Sequence, residues 1–308
     1  MKNSLRFTNA IKRFYTKMAN SKFEYVKDFE TQEKLLPNSW IVVRIDGKGF
    51  HKFSTKHNFN KPNDTRALGL MNRAAATVMN EYKDIVLSYG VSDEYSFVLR
   101  RQCPLYNRRK DKIMTYLNSL FTSSYVYFWN EYFHDVKLKY PPSFDSRIVL
   151  YPTDENLRDY LNWRQADCHI NNLYNTTFWS LILKGGLTNC EAEQKLCGTD
   201  SAHKNEILFS EFGINYNNEL DLFKKGTILL RKNIKHPLHE KSRQVIYPFH
   251  EDLIRDTFWD KNTNILPGQV SQEFDYSSVD RLPELVLKQL HLSDKVIRPD
   301  ESKDVAKE

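Results

Sequence analysis

The run Trp40 to Ile45 (WIVVRI) is β-rich and stops abruptly at Asp46-Gly47, the pattern of a buried strand ending in a turn. Pro62-Asn63-Asp64 then offers a helix start. Leu68, Met71, Ala75, Val78, Met79 and Tyr82 follow at three- and four-residue spacings, which predicts a helix of about five turns with one face on a sheet. Two further apolar runs, Ile85 to Tyr89 and Tyr95 to Leu99, flank Gly90-Val91-Ser92-Asp93-Glu94 and predict an antiparallel hairpin with two acids at its turn. A second helical pattern spans Ile113 to Phe133 with Leu117, Leu120, Phe121, Tyr125, Phe128 and Trp129 on its apolar face, and Asp145 to Tyr151 predicts a fourth strand.

Strand, helix, strand, strand, helix, strand is the split βαβ plan of a ferredoxin-like sheet, the α+β arrangement of polymerase and nucleotide-cyclase palms. Both helices are expected on one face, with the other face open for a ligand. Beyond Thr153 the pattern becomes mostly helical, over Asn156–His169 and Asn171–Lys184, and Gly185-Gly186 closes the second helix. The expected organisation is a palm over 19–152, a mostly helical part over 153–296, and a disordered tail over 297–308.

Composition narrows the class. With 40% hydrophobic and 27% charged residues among 308, and no apolar run near the roughly 18 residues of a bilayer span, a membrane-spanning reading is excluded. Four cysteines without C-x-x-C spacing argue against a zinc ribbon or a disulfide framework, so separate buried thiols and a reducing compartment are expected. The net charge of +6 is matched by six basic residues before Glu24; without them, 39 basic residues face 39 acidic ones. Any nucleic acid must therefore be held by local patches. Residues 1–18 are basic and acid-free with apolar residues at helical spacing, resembling a mitochondrial transit peptide; a disordered tail, or synthesis starting at Met18, are the alternatives. The expected compartments are cytoplasm and nucleus, with a mitochondrial form where residues 1–17 are translated.

The chemistry-bearing residues are Asp46 at a strand end and Asp93 and Glu94 on the hairpin that the topology places beside it. Converging carboxylates at about 4 Å repel by roughly 4 kcal/mol at an effective dielectric near 20, so a divalent cation is their natural companion. On pattern alone, Asp-Gly and Ser-Asp-Glu are also ordinary turn sequences. The densest basic stretch is Arg100 to Lys112, six cations in thirteen residues against Asp111. It suits phosphate, although such runs are often only solvated.

The segments ANSKFEYVKDFE (19–30), RIDGKGFHKFS (44–54), NFNKPND (58–64), SDEYSF (92–97), YNRRKDK (106–112), YLNWRQADCHINNLYNTTFW (160–179), KNEILFSEFGINYNNE (204–219) and KKGT (224–227) resemble the eukaryotic tRNA-His guanylyltransferases from about Ala19 to Arg231. The resemblance implies an enzyme that adds a guanosine to the 5′ end of tRNA-His. ATP adenylylates the 5′-phosphate, the GTP 3′-hydroxyl displaces AMP, and pyrophosphate is removed. It further implies two Mg²⁺ ions held by Asp46, the Gly47 carbonyl and Asp93, with Glu94 as a supporting acid, and a homotetramer. Asp46, Gly47, Lys48, Gly49, Phe50, His51, Lys61, Asp64, Ser92 and Asp93 become nucleotide contacts. For Asp64 a carboxylate facing guanine and a helix N-cap are both compatible. Arg109, Lys112, His169, Asn172, Lys204 and Asn215 become RNA contacts; Asn172 could instead cap a helix, and Tyr174 and Trp179 could fill a core. A general 3′–5′ repair polymerase, a nucleotide cyclase and a non-catalytic tRNA binder are the competing functions.

Overall fold

The computed structural model describes residues 21–238, 241–276 and 281–292. The transit-peptide and tail readings of 1–18 and 297–308 lie outside these. Among the described residues, 21–33 form one unit, in which Glu24–Phe29 makes a short 3-10 turn without a buried side chain, and those from Lys34 on form the second.

In the second unit the elements run β1 (Trp40–Gly47), α1 (Phe50–Lys56), α2 (Thr65–Glu81), β2 (Ile85–Val91), β3 (Glu94–Leu99), α3 (Lys110–Tyr127), α4 (Trp129–Tyr132) and β4 (Phe144–Tyr151). They continue with α5 (Asp154–Leu183), α6 (Asn189–Leu196), α7 (Ser201–Phe212), α8 (Asp221–Lys225), β5 (Thr227–Lys235), β6 (Ser242–Phe249), α9 (Asp256–Lys261), β7 (Gln272–Glu273) and α10 (Glu284–Leu290). The sheet order is β4-β1-β3-β2-β5-β6, with β7 parallel to β5. Its first four strands and their helices are the palm read from the sequence.

Alternation along β1 divides the core. Ile41, Val43 and Ile45 point with Phe97 and Leu99 to the face covered by α2 and α3, where Leu70, Met71, Val78, Ile113, Leu117 and Phe121 are buried. Trp40 and Val42 point with Val98 and Tyr89 to the opposite face. That face is not the open ligand surface expected. Leu157, Tyr160 and Leu161 of α5, with Leu253, Phe258 and Trp259, bury most of it, and Trp40 Nε1 donates to Asp154 Oδ1 at 2.8 Å. The palm needs this second layer because its strands are apolar on both sides.

Two further expectations change. The helices placed at Asn156–His169 and Asn171–Lys184 are one helix of 30 residues, capped by Thr153 and closed at Gly186, whose φ of +68° is suited to glycine. The buried Asn172 at the expected break bonds Asn63 and the Tyr216 hydroxyl, so it does not interrupt the helix. The chain after α8 also returns to the sheet as the β5–β6 hairpin, β5 pairing with β2. Lys232 obscured this strand in the sequence. Its ammonium is buried but donates to Asn262 at 2.9 Å and Gln272 at 2.8 Å, which makes a buried lysine tolerable. The cysteines also divide: Cys103 and Cys168 are buried, whereas Cys190 and Cys197 are exposed.

Candidate active site

Asp46, the last residue but one of β1, lies opposite Glu94, the first residue of β3, and the Gly47 amide donates to the Asp93 carbonyl at 3.1 Å. The hairpin turns at Ser92-Asp93, where Ser92 adopts φ +53° and its hydroxyl donates to Asp93 Oδ1 at 2.9 Å. The three acids therefore meet at one end of the sheet. Their electrostatics differ. Glu94 receives a two-pronged contact from Arg164 of α5, Nε at 2.8 Å and Nη2 at 3.1 Å, and Arg44 stands 3.8 Å away. Burial raises its pKa and these guanidiniums oppose the rise. Among the described residues no basic side chain forms an ion pair with Asp46 or Asp93. Burial pushes Asp93 up to about 6, with the Ser92 hydroxyl opposing and the charges of Asp46 and Glu94 reinforcing.

After the strand the chain turns through Lys48 and Gly49 into α1. Gly49 sits at φ +65° as the residue before the helix, and a Cβ on Gly47 would lie 2.3 Å from the Phe50 ring. Both positions thus require glycine. Phe50 and His51 are in the first helical turn, whose backbone amides lack intrahelical acceptors. The expected phosphate loop is therefore a turn followed by a helix start.

Phe50, His51, Lys61, Asp64, Ser92, Asp93 and Asn172 line a single cavity of about 440 Å³, between α1, α2, the hairpin tip and α5. Asp46, Gly47, Lys48 and Gly49 adjoin it through Asp93. Lys61 donates to Ser54 at 3.1 Å and lies 5.4 Å from the Trp179 ring, and burial lowers its pKa. Trp179 is thus part of the cavity wall rather than of a closed core.

Asp64 caps α2, accepting from the Arg66 amide at 3.0 Å. The Asn60 amide and the Arg66 guanidinium occupy its remaining acceptor positions. Burial would raise its pKa, but these hydrogen bonds prevail and hold it below the ordinary carboxylate value. The cap is the role the structure shows; a guanine contact requires Arg66 to move.

Asn172 is not a helix cap. It lies within α5, accepting from Asn63 at 2.9 Å and donating to the Tyr216 hydroxyl at 3.0 Å, and so ties the cavity floor to the palm. Asn72 was not singled out in the sequence. It accepts from Tyr95 at 2.9 Å and donates to Thr227 at 3.2 Å. Arg164 was likewise missed; the buried, uncompensated Glu94 on a strand was the signal that could have called for it.

A scan against family models matches residues 23–152 to Thg1, described as tRNAHis guanylyltransferase, and residues 155–265 to the Thg1 C terminal domain. A Drosophila melanogaster protein called probable tRNA(His) guanylyltransferase is 56% identical over 277 residues, covering 90% of this chain and 95% of that protein. The chain belongs to the tRNAHis guanylyltransferase family. It is accordingly a nucleotidyltransferase. The tRNA(His) guanylyltransferase of Schizosaccharomyces pombe is 57% identical over 251 residues, 79% of this chain and 96% of its own. The Saccharomyces cerevisiae guanylyltransferase crystal structure superposes with a TM-score of 0.65 at 57% identity, over 67% of this chain and 92% of that one. A bacterial guanylyltransferase-like protein in complex with ATP shares the fold at TM-score 0.61 and 22% identity, over 82% of this chain and 99% of that one.

Within this guanylyltransferase fold the residues expected to contact RNA are scattered. Arg109 is the residue before α3 and Lys112 lies in its first turn, at the end of the sheet where β1 begins; the strand from Trp40 to Asp46 spans about 20 Å. Contact with RNA at another point remains compatible. Three of its cations serve the fold: Arg100 pairs with Asp84, Arg101 with Asp154, and Arg108 donates to the carbonyls of Leu35, Leu36, Ser39, Arg101 and Cys103. His169 is exposed, edge-on to Tyr216 at 5.6 Å, and partial desolvation with the charge of Lys224 lowers its pKa. Lys204 donates to the Thr199 carbonyl at 2.6 Å near the start of its own helix α7, and Asn215 caps a 3-10 turn over Tyr216–Asn218.

Proposed function

We propose that this chain adds a guanosine to the 5′ end of tRNA-His. A 5′-phosphate oxygen of the tRNA attacks the α-phosphorus of ATP and releases pyrophosphate; the GTP 3′-hydroxyl then attacks the 5′ phosphorus and AMP leaves. Water finally removes the pyrophosphate carried in from GTP. All three are displacements at phosphorus, where positioning and charge neutralisation supply most of the catalysis.

The observation that carries this reading is the electrostatic division at the strand end. Glu94 is neutralised by Arg164 and Arg44, while Asp46 and Asp93 stand together beside a nucleotide-sized cavity. Among the described residues no group of three or more His, Cys, Asp or Glu is arranged to hold a metal. A pair of carboxylates, Asp46 and Asp93, suits Mg²⁺, which keeps several waters and completes its shell with one or two carboxylates and substrate phosphates. Asp46, Asp93 and the Gly47 carbonyl would hold two such ions, which supply charge neutralisation and a more acidic attacking hydroxyl. Arg164 fixes Glu94 and keeps α5 against the strand end. Lys48, His51 and Lys61 offer charge and hydrogen bonds to phosphates. The nucleotide complexes of bacterial relatives, one with ATP and one with GTP, support nucleotide occupancy of this fold. A homotetramer belongs to the same proposal and is checked by light scattering.

The test supplies 5′-monophosphorylated tRNA-His lacking its extra guanosine, ATP, labelled GTP and Mg²⁺, beside a tRNA with another anticodon. Label on tRNA-His alone is expected. Equal label on both establishes a general repair polymerase instead, and no label with tight tRNA binding establishes a non-catalytic binder.

A further inference from the structure

Tyr125 of α3 lines the same cavity as Asp93, and the reaction above gives it no role. Its side chain is wholly buried, with ring centres 5.5 Å from Phe144, 6.0 Å from Phe50 and 6.1 Å from Trp129. A phenylalanine would fill such an aromatic nest equally well. Yet the ring carries a hydroxyl, and among the described residues it is the only buried tyrosine hydroxyl without a hydrogen-bond partner. Other buried tyrosines are answered within the protein: Tyr89 donates to the Lys225 carbonyl, Tyr95 donates to Asn72, and Tyr160 meets the Ser96 hydroxyl. A buried donor left unpaired weakens a fold, so its partner is to be sought in what enters the cavity.

The surroundings of the hydroxyl select that partner. Burial raises its pKa, and the charges of Asp93 and then Asp64 raise it further, so the group stays protonated and can donate. The same carboxylates disfavour a bare phosphate at this point. A sugar hydroxyl fits, because it can accept from the phenol and donate to a carboxylate at once. In a nucleotide whose phosphates lie at Asp46 and Asp93, the ribose is the part joined directly to them.

We propose that the Tyr125 hydroxyl donates to a ribose hydroxyl of the nucleoside triphosphate in this cavity, so that binding depends on that sugar hydroxyl. The contact rests on the reading that a nucleotide occupies the cavity. A pocket built to hydrogen-bond a substrate hydroxyl discriminates against the analogue that lacks it. ATP and GTP share the ribose, and a base edge is the competing acceptor.

Isothermal titration calorimetry with Mg²⁺ and without tRNA gives the Kd of full-length wild type and Tyr125→Phe for GTP, ATP and the 2′-deoxy and 3′-deoxy form of each. Tyr125→Phe removes only the unpaired oxygen, so the unliganded variant is expected to melt at or above the wild-type Tm. In the wild type, one deoxy form is expected to bind about three- to tenfold more weakly than its ribonucleotide. Tyr125→Phe is expected to lose the same factor on the ribonucleotide and nothing further on that deoxy form, the coupling of a direct contact. This pattern in the GTP or the ATP series supports the contact and names its nucleotide. Kd values unchanged by Tyr125→Phe overturn it. A loss equal across the ribonucleotide and both deoxy forms also overturns it, in favour of a base edge. A variant that melts well below wild type reveals a partner within the protein and overturns it too. Wild-type protein that shows the expected pattern but adds no guanosine refutes the proposed reaction and leaves the contact standing, whereas guanosine addition without the pattern overturns the contact alone.

Discussion

The two ends of the palm sheet carry opposite charge in the sequence and opposite degrees of internal satisfaction in the structure. At one end, Asp46 and Asp93 form no ion pair among the described residues. At the other, the most basic stretch of the folded body is largely consumed by the fold. Arg108 alone holds five backbone carbonyls, and Arg100 and Arg101 pair with Asp84 and Asp154. Charge density thus says little about where a ligand binds. What counts is whether the protein has already answered the charge with a partner.

Substitutions at the two ends should separate sharply. Asp46→Ala or Asp93→Ala is expected to lower guanosine addition by about a thousandfold or more while tRNA affinity stays within a few-fold, as single-turnover assays and binding curves would show. Normal rates in either variant would erase the functional contrast between the ends.

Arg164→Ala tests how the acidic end is held. It leaves Glu94 buried with Arg44 3.8 Å away as its remaining partner, so a loss of about 3 kcal/mol in denaturant stability is expected, together with reduced activity. An unchanged unfolding midpoint would show that this pair is not what keeps α5 against the strand end.

The raised pKa of Asp93 makes a pH-dependent contrast. A carboxyl raised from 3.8 to about 6 on folding contributes stability that is fully present below about 4 and lost as pH rises through about 6. Without divalent cation, Asp93→Asn should therefore be the more stable protein at pH 7.5, by up to about 3 kcal/mol, and the advantage should vanish near pH 4. Thermal melts across that range, with Mg²⁺ added back to the wild type, measure it. A constant difference with pH would mean that Asp93 does not titrate there.

The smallest effects belong to the basic end. Arg108→Ala should cost about 2 kcal/mol of stability through its lost carbonyl contacts without altering the KM for GTP. Lys112→Ala, at an exposed site, should leave stability unchanged and reduce the salt slope of tRNA binding by about one if it touches phosphate. An Arg108→Ala variant with full stability and weakened GTP use would reverse the assignment of the two ends.

The palm was legible because its signals are local. The periodicities of Trp40 to Ile45, Leu68 to Tyr82 and the hairpin at Ser92-Asp93 depend on neighbours two to four positions apart, and the acids were placed together by topology. The β5–β6 hairpin was not legible, because Lys232 belongs in a strand only when Asn262 and Gln272 meet its ammonium. The continuity of α5 was hidden likewise. Asn172 breaks no helix once Asn63 and Tyr216 satisfy its amide, and those partners lie 109 and 44 residues away.

The sequence by itself determined the strand–helix–strand–strand order, the position of Asp46, Asp93 and Glu94 at one strand end, and the family, since these rest on short-range pattern and on motif wording. Only the tertiary structure decided that Glu94 is neutralised by Arg164, that Asp64 is filled by Arg66, and that Arg108 is a clamp while Arg44 is left short of partners. The reason is physical: the state of a polar group is set by its partners and its distance from water, and both are properties of the folded chain.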